Sequence, residues 1–174
     1  MSSQLTHNET DFEKQKFPLI LVADNIIGEA NIGSLFRLSD AFGIEKIVFC
    51  ETEPNMNSNR LKKTARNTYT SVNYEFRKST VHYIQQKKEE GFTVISLEIA
   101  SNSKDLRQFQ YSASEKILLV AGNERNGISE EILKLSDKIF HIEMFGDNSS
   151  MNVAQSVGIA FYEITRAMSN FSKK

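Results

Sequence analysis

From Phe17 onward, short apolar runs alternate with helix-length stretches, and few architectures accommodate that rhythm. Pro18–Ala23 reads as a buried strand, and Lys46–Cys50, Phe92–Leu97, Lys116–Ala121 and Lys138–Ile142 read as further ones. Thr70–Phe76 alternates Val72, Tyr74 and Phe76, the pattern of a half-exposed strand. Between these runs, Asn31–Phe42 carries Ile32, Leu35, Phe36 and Phe42 at near-helical spacing, with Asn31 as its N-cap and Gly43 closing it. Thr80–Glu90 predicts a helix ended by Gly91, Ser129–Leu135 a short helix, and Asn152–Phe171 a long final one. Runs that are apolar at every position belong to strands covered on both faces. The chain therefore reads as an α/β domain with a mainly parallel sheet and helices on both faces. No repeat or Gly/Ser linker divides it, so residues 17–174 form one domain behind a polar, flexible tail, Met1–Lys16.

Composition narrows the function classes. The lone cysteine, Cys50, excludes a disulfide framework and a Cys-rich zinc site, and it reads as core. The histidines, His7, His82 and His141, lack metal-ligand spacing, so no metal is expected. No apolar run approaches the roughly 20 residues of a membrane helix, and Met1–Lys16 lacks a signal-peptide core. A reduced, cytoplasmic protein without a membrane partner is expected. With 21 Lys and Arg against 22 Asp and Glu, a polyanion would have to be met by a local patch.

Ligands of parallel sheets bind beyond the carboxyl ends of the strands, which directs attention to three loops. Asp24–Arg37 leads from a strand into a helix, with Asn31 and Gly33 near its start and Arg37 one turn beyond Gly33. Such a start suits an anion or a close backbone approach; a capped helix with a surface arginine gives the same pattern. Val120–Ser129 brackets Glu124 between Gly122 and Gly127, which suits a ligand-holding turn or a plain strand-to-helix turn capped by Ser129. Ile142–Ala154 ends a strand and enters the last helix through Ser150, Met151 and Asn152, where Ser150 or Asn152 can also be simple caps. No histidine falls within these loops, so Ser–His hydrolysis has little support.

Taken together and in this order, the loops resemble the SpoU/TrmH family of RNA ribose methyltransferases. The Asn-x-Gly-x-x-x-Arg pattern that ends the family's first motif is matched by Asn31, Gly33 and Arg37. Its Gly-x-Glu-x-x-Gly pattern is matched by Gly122, Glu124 and Gly127. Its third motif, Ile-Pro-Met, a loop, then Ser-Leu/Met-Asn-Val/Leu-Ser/Ala, is matched by Ile142, Met144 and Ser150–Ala154, with Glu143 in place of the proline. The loop before Asn31 also lacks a proline that many members carry.

The resemblance implies a C-terminal trefoil knot, which general topology rules would not suggest. It implies an S-adenosylmethionine (AdoMet) pocket meeting Leu97, Gly122, Ile142, Ser150 and Met151, and a catalytic and structural polar set of Asn31, Arg37, Glu124, Ser150 and Asn152. The implied reaction is transfer of the AdoMet methyl group to a ribose 2′-hydroxyl, with tRNA favoured over rRNA because compact members often act on tRNA. It also implies a homodimer packed about the first-motif and final helices, with Glu124 orienting Arg37 or Asn31 from the opposite subunit. The final-helix stripe Val153, Val157, Ala160, Phe161, Ile164 and Met168 suits that contact, or else faces only its own sheet. Arg60, Lys62, Lys63 and Arg66 form the strongest basic cluster, the expected RNA-phosphate contact, although a solvated helix face gives the same run; Arg77, Lys78, Lys87, Lys88, Lys173 and Lys174 are weaker patches. Two rivals remain: a catalytically silent AdoMet- or RNA-binding knotted module, and an unrelated nucleotide-binding α/β domain.

Overall fold

The computed structural model describes residues 3–5 and 9–172. Met1, Ser2, Thr6, His7 and Asn8 of the expected tail, and Lys173 and Lys174 of the basic patches, lie outside the described residues. The chain forms β1 (Phe17–Asp24), α1 (Glu29–Ala41), β2 (Ile44–Cys50), α2 (Asn59–Ala65), β3 (Tyr74–Arg77), α3 (Thr80–Glu89) and β4 (Phe92–Leu97). It continues through β5 (Lys104–Asp105), β6 (Lys116–Ala121), α4 (Glu130–Leu135) and β7 (Lys138–His141) to α5 (Val153–Ser172).

All seven strands join one sheet in the order β3-β2-β1-β6-β4-β7-β5, and every pairing is parallel. The strands apolar at every position are the central ones. In β1, Leu19, Leu21 and Ala23 face one core layer with α1, α2 and α5, while Ile20 and Val22 face a second with α3 and α4. Both faces of these strands are buried, which is why alternation is lost in these runs.

Three local expectations change. Helix α1 begins at Glu29 with Gly28 as N-cap, not at Asn31, and Asn31 lies inside the first turn, closed by the Ile32 N–H on the Gly28 carbonyl at 2.9 Å. The strand expected over 70–76 is confined to Tyr74–Arg77, because Thr68–Thr70 close a 3₁₀ turn behind Asn67, whose φ is 20°. The final-helix stripe faces its own sheet: Val157, Ala160, Phe161, Ile164 and Met168 are buried in the core layer shared with α1. Of its large apolar side chains α5 leaves Ile159, Tyr162 and Phe171 outside, Tyr162 the most exposed at 56%.

Strand β7 sits between β4 and β5, although β4 and β5 are joined directly by residues 98–103. That link spans the end of β7 and is bonded to it on both sides, through Glu98 N–H to the Phe140 carbonyl at 2.9 Å and Ser103 Oγ to His141 Nδ1 at 2.9 Å. The arrangement fits the threading that the family resemblance implies.

Candidate functional site

The sheet order decides where the site is. Strands β1, β6, β4 and β7 are adjacent, so the loops leaving their carboxyl ends stand side by side along one edge. A cavity of about 250 Å³ opens there. Leu97, Gly122, Ile142, Ser150 and Met151, the five residues expected around a cofactor, all line it. They come from the end of β4 and the loops after β6 and β7, and Ala121, Met144 and Val153 extend its apolar wall. His141 also lines it, although sequence reading placed no histidine in these loops. Its Nδ1 is tied to Ser103, whose hydroxyl also bonds the Ala100 carbonyl at 2.7 Å, so the pair fastens a turn rather than forming a free nucleophile and base.

Beside the cavity runs a directional chain of side-chain amides. Glu124 Oε1 accepts from the Gly28 N–H at 3.2 Å and from Asn31 Nδ2 at 2.8 Å. Asn31 Oδ1 accepts from Asn152 Nδ2 at 2.9 Å. Asn152 Oδ1 then caps α5, accepting from the N–H groups of Ala154 at 3.0 Å and Gln155 at 3.3 Å. An ionised carboxylate only accepts and a helix N-terminus only donates, so neither amide can flip without losing a bond at each end. Releasing Asn31 from the cap role is what frees its side chain for this chain. Glu124 bonds Asn31 of its own chain.

Arg37 lies two turns along α1 from Gly28, exposed on a groove between α1 and α5. The groove also holds Asn31, Ser34, Met151, Asn152, Ile159 and Tyr162, and Met151 belongs to both concavities. Among the described residues Arg37 has no ion-pair partner. Ser150 is exposed at the cavity mouth. Gly33, which sequence reading offered as a place for a ligand or a backbone, admits a backbone: a Cβ there would lie 2.6 Å from the Leu61 carbonyl of α2.

Helix α2 consequently packs directly on α1 through Leu61 and Ala65. It carries Arg60, Lys62 and Lys63, with Arg66 as its C-cap. Arg60, Lys63 and Arg66 are exposed, and Lys62 Nζ donates to Asn57 Oδ1 at 3.5 Å. The cluster therefore stands on the helix that braces the Arg37-bearing one. Glu143, which replaces the expected proline, pairs with Arg107, which also pairs with Asp105. That contact holds Asp105 below the usual carboxylate range, through its hydrogen bonds from Arg107.

Sequence reading missed Asn123 and Glu98. Asn123 Nδ2 donates to the Asn25 carbonyl at 2.7 Å while its Oδ1 accepts from the Arg125 and Asn126 N–H groups at 2.9 and 3.1 Å. Its position directly after Gly122 was the available signal; nothing in the spacing pointed to Asn25. Glu98 stands immediately past an apolar strand, on a loop without a sharp motif.

No helix among the described residues is long and apolar enough to cross a membrane. The chain is 29% identical over 154 residues to tRNA (guanosine(18)-2′-O)-methyltransferase of Aquifex aeolicus (strain VF5), covering 88% of this chain and 72% of that protein. It spans under three fifths of several longer curated relatives. The crystal structure of the A. aeolicus TrmH/SpoU tRNA modifying enzyme superposes with a TM-score of 0.81 at 28% identity, over 92% of this chain and 80% of that one. An AdoMet-bound rRNA methyltransferase from Sinorhizobium meliloti shares the fold, with a TM-score of 0.79 at 23% identity, over 90% of this chain and 59% of that one. The model of the SpoU rRNA Methylase family matches residues 18–162, and with the parallel sheet and its loop-edge cavity in place, the chain belongs to that family.

Proposed function

We propose that this chain is an AdoMet-dependent methyltransferase acting on a ribose 2′-hydroxyl of RNA, with tRNA as the favoured substrate, and that it works as a cytoplasmic homodimer. One observation carries the reading: four motif residues from the loops after β6 and β7, with Leu97 at the end of β4, wall a single cavity, and the Glu124–Asn31–Asn152 chain leads from its rim to the Arg37 groove.

The cavity suits the cofactor. Leu97, Ala121 and Ile142 offer an apolar bed for a purine, and Ser150 and Met151 stand at the mouth that faces the groove. When bound there, AdoMet supplies an electrophilic methyl group. The chain's own residues must then hold the hydroxyl in line and ease loss of its proton. A guanidinium keeps its proton in proteins, so Arg37 acts as a clamp on the neighbouring phosphate and as a stabiliser of the developing alkoxide, not as the base. Asn31, with its amide orientation fixed at both ends, presents a defined polar edge to the ribose. The α2 cluster Arg60, Lys62, Lys63 and Arg66 provides phosphate contacts beyond the reacting nucleotide. Exposed Ile159 and Tyr162, beside Arg37 in the α1/α5 groove, are the surface of the dimer.

The test is methyl transfer from labelled AdoMet to total RNA lacking native ribose methylation, resolved on one gel. Label in the tRNA band, surviving alkali as a resistant dinucleotide, is expected. Label in ribosomal bands keeps the chemistry and moves the substrate, while normal AdoMet binding with no transfer favours the silent module. In the same assay Arg37→Lys keeps AdoMet affinity and loses nearly all turnover; near-normal turnover would show that the planar fork is dispensable.

A further inference from the structure

The strand ladder that unites the cavity's walls ends at the cavity itself, whose lining includes Leu97 and Ala121. Pairing of β4 with β6 ends at Leu97 and Ala121, and pairing of β4 with β7 ends at Leu97 and Phe140. Beyond those pairs β4 and β6 pass into loops, and β7 keeps one further pair, His141 with Asp105 of β5. Glu98 is the next residue after Leu97: its backbone N–H holds the end of β7, and its carboxylate joins the loops after β4 and β6. Its N–H donates to the Phe140 carbonyl at 2.9 Å, where β7 turns into the Ile142–Ala154 loop. Its Oε1 accepts from the Ile99 N–H at 2.9 Å, within the loop after β4. Its Oε2 accepts from the Ile128 N–H at 2.9 Å, in the loop after β6.

The second loop is shaped to receive this carboxylate. Gly127 holds φ at +62°, and a Cβ there would stand 2.5 Å from Glu98 Oε2. Glu98 itself lines the cavity. An ionised carboxylate accepts through both oxygens, whereas an amide of the same shape has one accepting oxygen and one donating nitrogen. Two backbone N–H groups converging on one side chain therefore specify a carboxylate, and such bonds are charge-assisted.

We propose that Glu98 is a positioning residue whose carboxylate fastens the loops after β4 and β6 into the cofactor-binding arrangement. The inference rests on reading the cavity as the AdoMet site. Loosening the bridge lowers the fraction of molecules whose loops are competent to bind, and apparent affinity falls in proportion to that fraction. The reacting groups on α1 are untouched, so turnover at saturating cofactor is preserved.

The experiment compares wild type, Glu98→Gln and Glu98→Ala in two measurements: S-adenosylhomocysteine binding by calorimetry, and amide hydrogen exchange on the ligand-free protein. For Glu98→Ala, Kd and the KM for AdoMet rise about tenfold, kcat stays within about twofold, and Glu98→Gln falls between it and wild type. In the ligand-free protein the Ile99 and Ile128 amides exchange faster, while Leu21 and Leu119 in the central strands keep their protection. Unchanged affinity in Glu98→Ala overturns the inference while leaving the cofactor reading intact. Loss of affinity accompanied by equal loss of protection at Leu21 and Leu119 also overturns it, because that marks general destabilisation. A wild-type protein that fails to bind S-adenosylhomocysteine overturns the cofactor reading, and this inference with it.

Discussion

Gly33 belongs to a motif, yet its part is steric. An added Cβ would meet the Leu61 carbonyl at 2.6 Å, the Thr64 Cβ at 2.8 Å and the Ala65 N at 3.0 Å, two of them backbone atoms that cannot rotate away. Gly33→Ala must push α2 off α1, at a cost of about 1–3 kcal/mol, measurable as a lower denaturant midpoint at unchanged slope. RNA affinity should fall with it, because α2 carries the basic cluster, whereas S-adenosylhomocysteine affinity should hold. A second residue-scale prediction concerns Asp24, 7% exposed at the end of β1 and bonded to the Thr80 hydroxyl. Burial raises its carboxyl above the ordinary range, the Thr80 bond opposes that, and the Glu51 charge adds to it. The folded chain thus binds this proton more tightly than the unfolded chain does. The stability it contributes is fully present below the unfolded pKa and is lost as pH rises through the folded one. Asp24→Asn should therefore melt higher than wild type at neutral pH, and the difference should vanish by about pH 4. Burial, with the Asp24 and Glu51 charges, likewise pushes the neighbouring Cys50 thiol up to about 12, so it stays protonated and unreactive in the folded core.

At the scale of elements, α2 is the piece whose function can be isolated. Its apolar face is only Leu61 and Ala65, and its exposed charges make no ion pair among the described residues. Reversing Lys63 and Arg66 to Glu should reduce the salt slope of RNA binding by about 2 with little effect on folding; an unchanged slope would place the phosphate contacts elsewhere. The elements differ in how far their sequence announces them. Strands β1 and β6 were legible because both faces are covered, which leaves a run with no polar interruption. Strand β5 was not, since Lys104–Asp105 has no apolar residue and exists because β7 offers it a partner. Asn31 shows the limit most clearly. An asparagine near a helix start looks the same whether it caps its own helix or reaches Glu124, 93 residues away, and only the strand order puts those loops together. The α5 stripe was legible as a buried face, but the surface it packs on was not, because period alone does not name a partner.

For the whole molecule, the groove that holds Arg37 ends in apolar surface that this chain does not cover: Ile159 is 38% and Tyr162 56% exposed. With the proposed dimer formed there, Ile159→Asp combined with Tyr162→Asp should shift sedimentation from dimer to monomer and abolish methyl transfer while leaving the fold intact. A fully active monomer would remove the dimer from the mechanism. The place of β7 has a different consequence, one of timing. Strands β4 and β5 are neighbours in the chain but stand one strand apart, and the residues that fill the gap come after both. During synthesis the 98–103 link must stay open until β7 has been made, and a premature pairing of β4 with β5 would have to come apart before the sheet could be completed. Non-local parallel pairing is slow in any case, so insertion of β7 should be the last and slowest event in folding, and the cavity, walled by the loop that follows β7, cannot exist before it.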